Sequence, residues 1–115
     1  MVTAEQLEKF RATLEAAQNK ELARLYPSLP PPSVRVKTRA KYACVDIGSN
    51  GGGWSGKYMV VLATGEIFGI KAYGVIHRGH PYGTVDTIHE WDWSGYEARR
   101  LKKEVQHGPI LPAVR

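Results

Sequence analysis

A row of cations is the first feature with chemistry in it. Arg35, Lys37, Arg39 and Lys41 alternate with Val34, Val36, Thr38, Ala40 and Tyr42. Alternation of that kind puts every second side chain on one side of a strand, roughly 6.6 Å apart. Such a row can follow successive phosphates of a nucleic-acid strand. Arg99, Arg100, Lys102 and Lys103 form a second basic group near the C-terminus. Lys57 lies between the two groups in sequence, next to Tyr58 and close to Trp54. Aromatic side chains can stack on unpaired bases, and Tyr58, Tyr73, Tyr82, Trp91 and Trp93 are further candidates. Lysine and arginine on an edge strand also serve a purely structural end, because they block edge-to-edge pairing.

Two other groups invite a catalytic reading. Gly51-Gly52-Gly53-Trp54-Ser55-Gly56-Lys57 matches the outline of a phosphate-binding loop, Gly-x-x-x-x-Gly-Lys. The next residue is Tyr58, where that loop needs a Ser or Thr to meet magnesium, and Met59-Val60-Val61-Leu62 reads as strand. No helix N-terminus would then face the phosphates, so the match is rejected. His77, His80 and His89, with Asp86 nearby, are the only residues resembling a metal-ligand set. Their spacing fits no zinc pattern, and Gly79 and Pro81 place two of them in an expected loop. His77 and His80 with Arg78 could also supply proton transfer beside a phosphate. No cofactor, bound metal or catalytic residue is assigned on these grounds.

The elements that must carry these residues are readable from periodicity. Leu7, Phe10, Leu14, Ala17, Leu22 and Leu25 recur at helical spacing, which predicts a helix over 4–26. Thr3 and Gln6 form a capping-box pair at its start. Pro27, Pro30, Pro31 and Pro32 end the helix and predict an extended spacer over 27–33. A strand runs from Val34 to Tyr42 and continues after a bend to Ile47, followed by a glycine-rich loop over 48–56. Strands over 57–62 and 66–73 are joined at Ala63-Thr64-Gly65, with Val75 and Ile76 extending the second. Residues 77–83 read as a loop and 84–88 as a short strand. Ser94 and Glu97 suggest a second capping box, opening a basic helix that stops at Gly108-Pro109.

The fold class is therefore α+β: an N-terminal helix, a small curled antiparallel sheet or partly open barrel of four or five strands, and a short basic C-terminal helix. The helix and spacer precede a single domain over 34–108, and 109–115 forms a loose tail. With 115 residues the chain holds one domain, and 43% apolar with 23% charged residues excludes wholesale disorder. The longest apolar run, Met59 to Ala63, is too short to span a membrane as a helix. The start carries no basic-then-apolar export signal, and the single Cys44 excludes an internal disulfide framework, so a cytoplasmic setting is expected. The net charge of +5 is uneven. Residues 34–57 carry five cations against Asp46 alone, and 99–115 carry five against Glu104. The intervening segment is acidic.

The segments Lys57-Tyr58-Met59-Val60, Thr64-Gly65-Glu66-Ile67-Phe68-Gly69-Ile70-Lys71 and Tyr73-Gly74-Val75-Ile76-His77-Arg78-Gly79-His80-Pro81-Tyr82-Gly83-Thr84 resemble small uncharacterised proteins of bacteriophages and mobile elements. The resemblance implies work inside a bacterial host, on host machinery or nucleic acid, and assigns no residue a role.

The sequence thus predicts a non-catalytic, nucleic-acid-binding accessory protein. Single-stranded RNA or DNA is expected ahead of a sequence-specific duplex, because nothing points to base-edge readout. Phosphate contacts are expected from Arg35, Lys37, Arg39, Lys41, Lys57, Arg99, Arg100, Lys102 and Lys103, with Trp54 and Tyr58 as stacking faces. Two alternatives stand beside it. One is a phage-type modulator that binds a host protein, with the N-terminal helix also able to pair two copies. The other is a metal- or histidine-dependent phosphodiesterase.

Overall fold

The computed structural model describes residues 1–48 and 52–101. A helix, α1 (Ala4–Leu25), precedes five strands: β1 (Ser33–Thr38), β2 (Tyr42–Gly48), β3 (Trp54–Val61), β4 (Glu66–Ala72) and β5 (Val75–Thr84). They form one open antiparallel sheet in the order of the chain. A 3-10 turn at Ile88–Glu90 leads to a two-stranded ribbon, β6 (Trp91–Asp92) with β7 (Arg99–Arg100). The architecture is α+β, as the sequence predicts. Among the described residues no helix is long and apolar enough to cross a membrane.

The start of α1 is set by its capping box. The Gln6 amide donates to Thr3 Oγ1 at 3.1 Å, and the Thr3 amide donates to Gln6 Oε1 at 2.9 Å. Two of the four orphan amides of a helix start are thereby satisfied. The apolar face of α1 is spent within the chain. Leu7, Phe10 and Leu14 are buried in one cluster with Val34, Val45, Val60 and Ile67 from the sheet. Polar contacts hold β1 to the helix: the Val34 amide donates to Glu15 at 3.0 Å, and Arg11 donates to the Val34 carbonyl at 3.3 Å. The proline stretch is the return loop that makes this docking possible, so the helix is part of the same core as the sheet. Of its apolar side, Leu25 stays open, followed by Tyr26 and Leu29 in the return loop.

Aromatic rings fill the rest of the core. Trp93 packs edge-on against Phe10 at 4.8 Å and against Tyr58 at 5.3 Å, and Tyr58 meets Tyr82 at 5.3 Å. The Trp93 indole N–H donates to the Ile88 carbonyl at 2.9 Å, which meets the need of a buried indole for an acceptor.

Six expectations are corrected. Val75 and Ile76 do not extend β4: the chain reverses at Tyr73-Gly74, with Gly74 at φ 78°, and they open β5 paired back on Ala72 and Ile70. Of the loop expected over 48–56, Gly48 ends β2 and Trp54–Gly56 open β3. Arg39–Lys41 is a hairpin turn, closed by the Arg39 amide on the Tyr42 carbonyl at 2.7 Å, so two paired strands replace one bent one. Residues 77–83 lie in β5 rather than a loop. Gly69 pairs with His77 while Phe68 pairs with Pro81, so Arg78, Gly79 and His80 arch out as a bulge. That bulge lets glycine and proline sit inside a strand. Residues 84–88 form a turn entering the 3-10 segment, held by the Thr84 amide on Thr87 Oγ1 at 2.9 Å. Gly83, at φ 76°, provides the left-handed backbone this turn needs. Finally, the C-terminal helix does not start at Ser94. The Ser94 amide and hydroxyl both donate to Asp92 Oδ1, at 2.9 and 2.6 Å, and Arg99–Arg100 pairs as a strand. Asp92 outcompetes the helix cap, and Gly95 weakens the helix further. The remainder of that expected helix, with Lys102 and Lys103, lies outside the described residues, as does the tail over 109–115.

Candidate nucleic-acid interface

The sheet has two unlike faces. One packs on α1. On the other, the register aligns Lys37, Cys44, Met59, Phe68 and Pro81 in one row across all five strands. Cys44, Met59 and Phe68 are buried there and form an apolar patch outside the main core. Among the described residues no helix covers them, and side chains take that part. The Arg78 guanidinium, carried by the β5 bulge, lies 5.5 Å from the Phe68 ring centre and donates to the Tyr42 hydroxyl at 3.2 Å. A bulge re-aims side chains, and here it turns an arginine back over the sheet.

A second row begins with Arg35 opposite Asp46. Asp46 is fully buried, an unusual state for a carboxylate, and its Oδ2 accepts from Arg35 Nε at 3.0 Å. The Tyr73 hydroxyl donates to the same oxygen at 3.2 Å. Tyr73 crosses β3 to reach it over Gly56, where a Cβ would come within 3.1 Å of the tyrosine ring. Asp46 Oδ1 has no hydrogen-bond partner among the described residues. The Arg35 guanidinium stacks on Trp54 at 4.4 Å. Arg35 is thus held flat by a buried acid on one side and an indole on the other.

The open face therefore presents Lys37, Arg35 and Arg78 together with Tyr42, Trp54 and Tyr73. Trp54 is 38% and Tyr73 48% exposed, enough to offer ring surface to a ligand. Among the described residues two acids belong to this face. Asp46 is neutralised by Arg35, and Glu66 stands at the β3–β4 turn, where it accepts from the Thr64 hydroxyl at 3.0 Å.

The structure brings together only part of the predicted set. Arg35 and Lys37 share the open face, and Trp54 joins them. Arg39 and Lys41 sit in the hairpin turn, at the end of the strand rather than along its row. Lys57 falls at the bulge in the β2–β3 register and points to the other side, where its amine donates to the Tyr96 carbonyl at 2.7 Å. Tyr58 is 2% exposed and belongs to the core, so it offers no stacking face. Tyr82 and Trp93 are buried as well. Arg100 is engaged by Glu90 at 2.7 Å, and with Arg99 lies on the small ribbon, which among the described residues shares no hydrogen-bonded strand pair with the large sheet. Lys102 and Lys103 lie outside the described residues.

The histidines divide. The His77 and His80 rings are 4.0 Å apart on β5, whereas His89 neighbours Glu90 at 3.8 Å. Among the described residues no three His, Cys, Asp or Glu side chains come together to hold a metal ion. Partial burial, with His80 and Lys71 nearby, lowers the pKa of His77. The glycine-rich stretch leads into strand β3, not a helix, in keeping with the rejected phosphate-loop match.

Arg78, Tyr42 and Asp46 were not expected at this interface from the sequence. Asp46 had a signal, an acid inside the apolar run Tyr42–Ile47. Arg78 and Tyr42 had none, because the bulge that joins them is a property of the pairing. Comparison of the chain with family models, with curated proteins and with solved structures finds no match.

Proposed function

We propose that this chain is a non-catalytic accessory protein of the cytoplasm that binds single-stranded nucleic acid across the open face of its sheet. The observation that carries the reading is the company Arg35, Lys37 and Arg78 keep. Lys37 and Arg78 share one face with three partly accessible aromatic rings, and there Arg35 neutralises the buried acid. Cations supply phosphate contacts, and Trp54 and Tyr73 supply faces for unpaired bases. An open sheet surface suits a flexible single strand better than a duplex groove, which is entered by a helix or ribbon.

The test is fluorescence anisotropy with labelled single-stranded RNA, single-stranded DNA and duplex DNA at two salt concentrations. Tight binding to a single strand that weakens steeply with salt is expected. Replacing Lys37 and Arg78 together with Glu should lower affinity by more than about tenfold. It should also flatten the salt dependence by about 0.7 in log–log slope for each phosphate no longer neutralised. No binding at low salt would remove the reading.

A second reading has one observation of its own. Leu25, Tyr26 and Leu29 are each about half exposed at the end of α1 and the start of the return loop. A clustered apolar surface of this kind suits contact with a host protein. A partner recovered from bacterial lysate after nuclease treatment, and absent with a Leu25→Asp, Leu29→Asp variant, would favour this reading over the first.

A further inference from the structure

Strands β3 and β4 are paired only at Met59–Phe68 and Val60–Ile67. Beyond these pairs, toward Trp54 on one strand and Ala72 on the other, they part. A cavity of about 130 Å³ occupies the gap, with Tyr96 and Glu97 over it. The bulge in the β2–β3 register opposite Val45 and Asp46 delivers Lys57 to this cavity, beside Tyr58. Nothing in the order of residues along the chain announces it.

Its chemistry is specific. The Lys57 amine is half-buried, and burial lowers its pKa while the Glu97 carboxylate opposes the fall. One of its three N–H groups goes to the Tyr96 carbonyl, which leaves two free to donate. The Tyr58 hydroxyl is buried at the same cavity, near the Ala98 backbone, and makes no well-formed hydrogen bond among the described residues. A buried polar group without a well-formed hydrogen bond is costly, and here a ligand atom can supply one. The Tyr58 and Tyr82 rings, set edge to face at 5.3 Å, make the wall. The cavity wall thus holds the Lys57 amine and the Tyr58 hydroxyl as donors, the Glu97 carboxylate beside the Tyr82 hydroxyl, and aromatic surface.

We propose that this cleft takes a single unstacked nucleobase and selects guanine, with Lys57 donating to O6 and Glu97 accepting from N1–H and N2–H. Guanine is the one base that presents two adjacent donors beside a carbonyl. A carboxylate accepts such a pair in the bidentate manner that gives geometric selectivity. Adenine lacks the carbonyl, cytosine places a single amino donor beside acceptors, and uracil sets one donor between two acceptors. The inference rests on the single-strand reading only for the source of the base. An unpaired nucleotide can splay its base into a pocket, whereas a duplex holds it in the stack.

The experiment is calorimetric titration of the full chain with GMP, AMP, CMP and UMP. GMP should bind at least about tenfold more tightly than the others. Glu97→Gln should erase the preference, and Lys57→Met should weaken GMP by a similar factor. Both side chains reach solvent, so neither change threatens the core. No binding of GMP at millimolar concentration, or a preference that survives Glu97→Gln, overturns the inference. The two readings fail separately. Oligonucleotides that bind equally with and without guanine, with no competition from GMP, would sink the pocket and leave the sheet face standing. GMP binding without oligonucleotide binding would do the reverse.

Discussion

Tyr58 shows how one residue changes meaning between chain and fold. Its place after Lys57 reads as a stacking face, yet its ring is in the core and its hydroxyl is buried without a well-formed hydrogen bond among the described residues. Burial raises its pKa well above the ordinary phenol value. The sign of the consequence is fixed. Above about pH 10 the unfolded chain ionises this phenol while the folded chain does not. The unfolded state then binds fewer protons, so stability falls as pH rises, by about 1.4 kcal/mol per pH unit. Tyr82 shifts in the same direction, also through burial. Tyr58→Phe should remove the Tyr58 share of this alkaline loss. At neutral pH it should leave stability unchanged or raise it by up to about 1 kcal/mol, because a buried hydroxyl with no well-formed hydrogen bond disappears. Urea unfolding at pH 7 and pH 10.5 measures both effects, and an unchanged alkaline loss would show that the phenol is solvated.

At the level of elements, local signals held where nothing competed with them. The Thr3–Gln6 box forms, and Gly65, at φ 81°, occupies the β3–β4 turn that its sequence announces. The parallel signal at Ser94 and Glu97 failed because Asp92 took both donors of Ser94. Elements are also stapled to one another by a few polar side chains. The Arg35–Asp46–Tyr73 network links β1, β2 and the turn after β4 across β3. Asp46→Ala should cost about 1 kcal/mol, because two hydrogen bonds to a charged acceptor are lost while a buried carboxylate with an unpartnered oxygen is relieved. It should also free Arg35 to leave Trp54. Chemical denaturation reads the first effect. Acrylamide quenching of tryptophan emission reads the second, because Trp54 is the most exposed of the three indoles. A variant as stable as the parent would mean that the buried carboxylate does not hold the sheet together.

For the whole molecule, the decisive fact is that α1 closes the core. Phe10 is fully buried and touches rings from β3 and from the segment after β6. Phe10→Ala should cost about 3–5 kcal/mol, a large part of the stability of a domain this size. Removing residues 1–26 should abolish cooperative unfolding. Thermal melting followed by circular dichroism tests this, and a truncated chain that melts with the parent's cooperativity would restore the idea of a separable helix. The same docking leaves a single sheet face open. With one sheet face under the helix, the cations of β1 and β5 are left to define the other.

Amphipathic period, proline stops, glycine turns and the run of alternating cations are local, so the α+β class, the span of α1 and most strands were legible in the chain alone. Their physical causes act within a few residues. The candidate interface was only half legible. Period two correctly put Arg35 and Lys37 on one face but could not know that a turn at Arg39–Lys41 ends the row. It could not see that a bulge turns Lys57 to the far side, or that another returns Arg78 over Phe68 to Tyr42. Bulges, strand separation and the partner of a buried acid depend on which strands meet and in what register. Only the packed sheet decides that, because the residues concerned are far apart in sequence and meet only when the core closes.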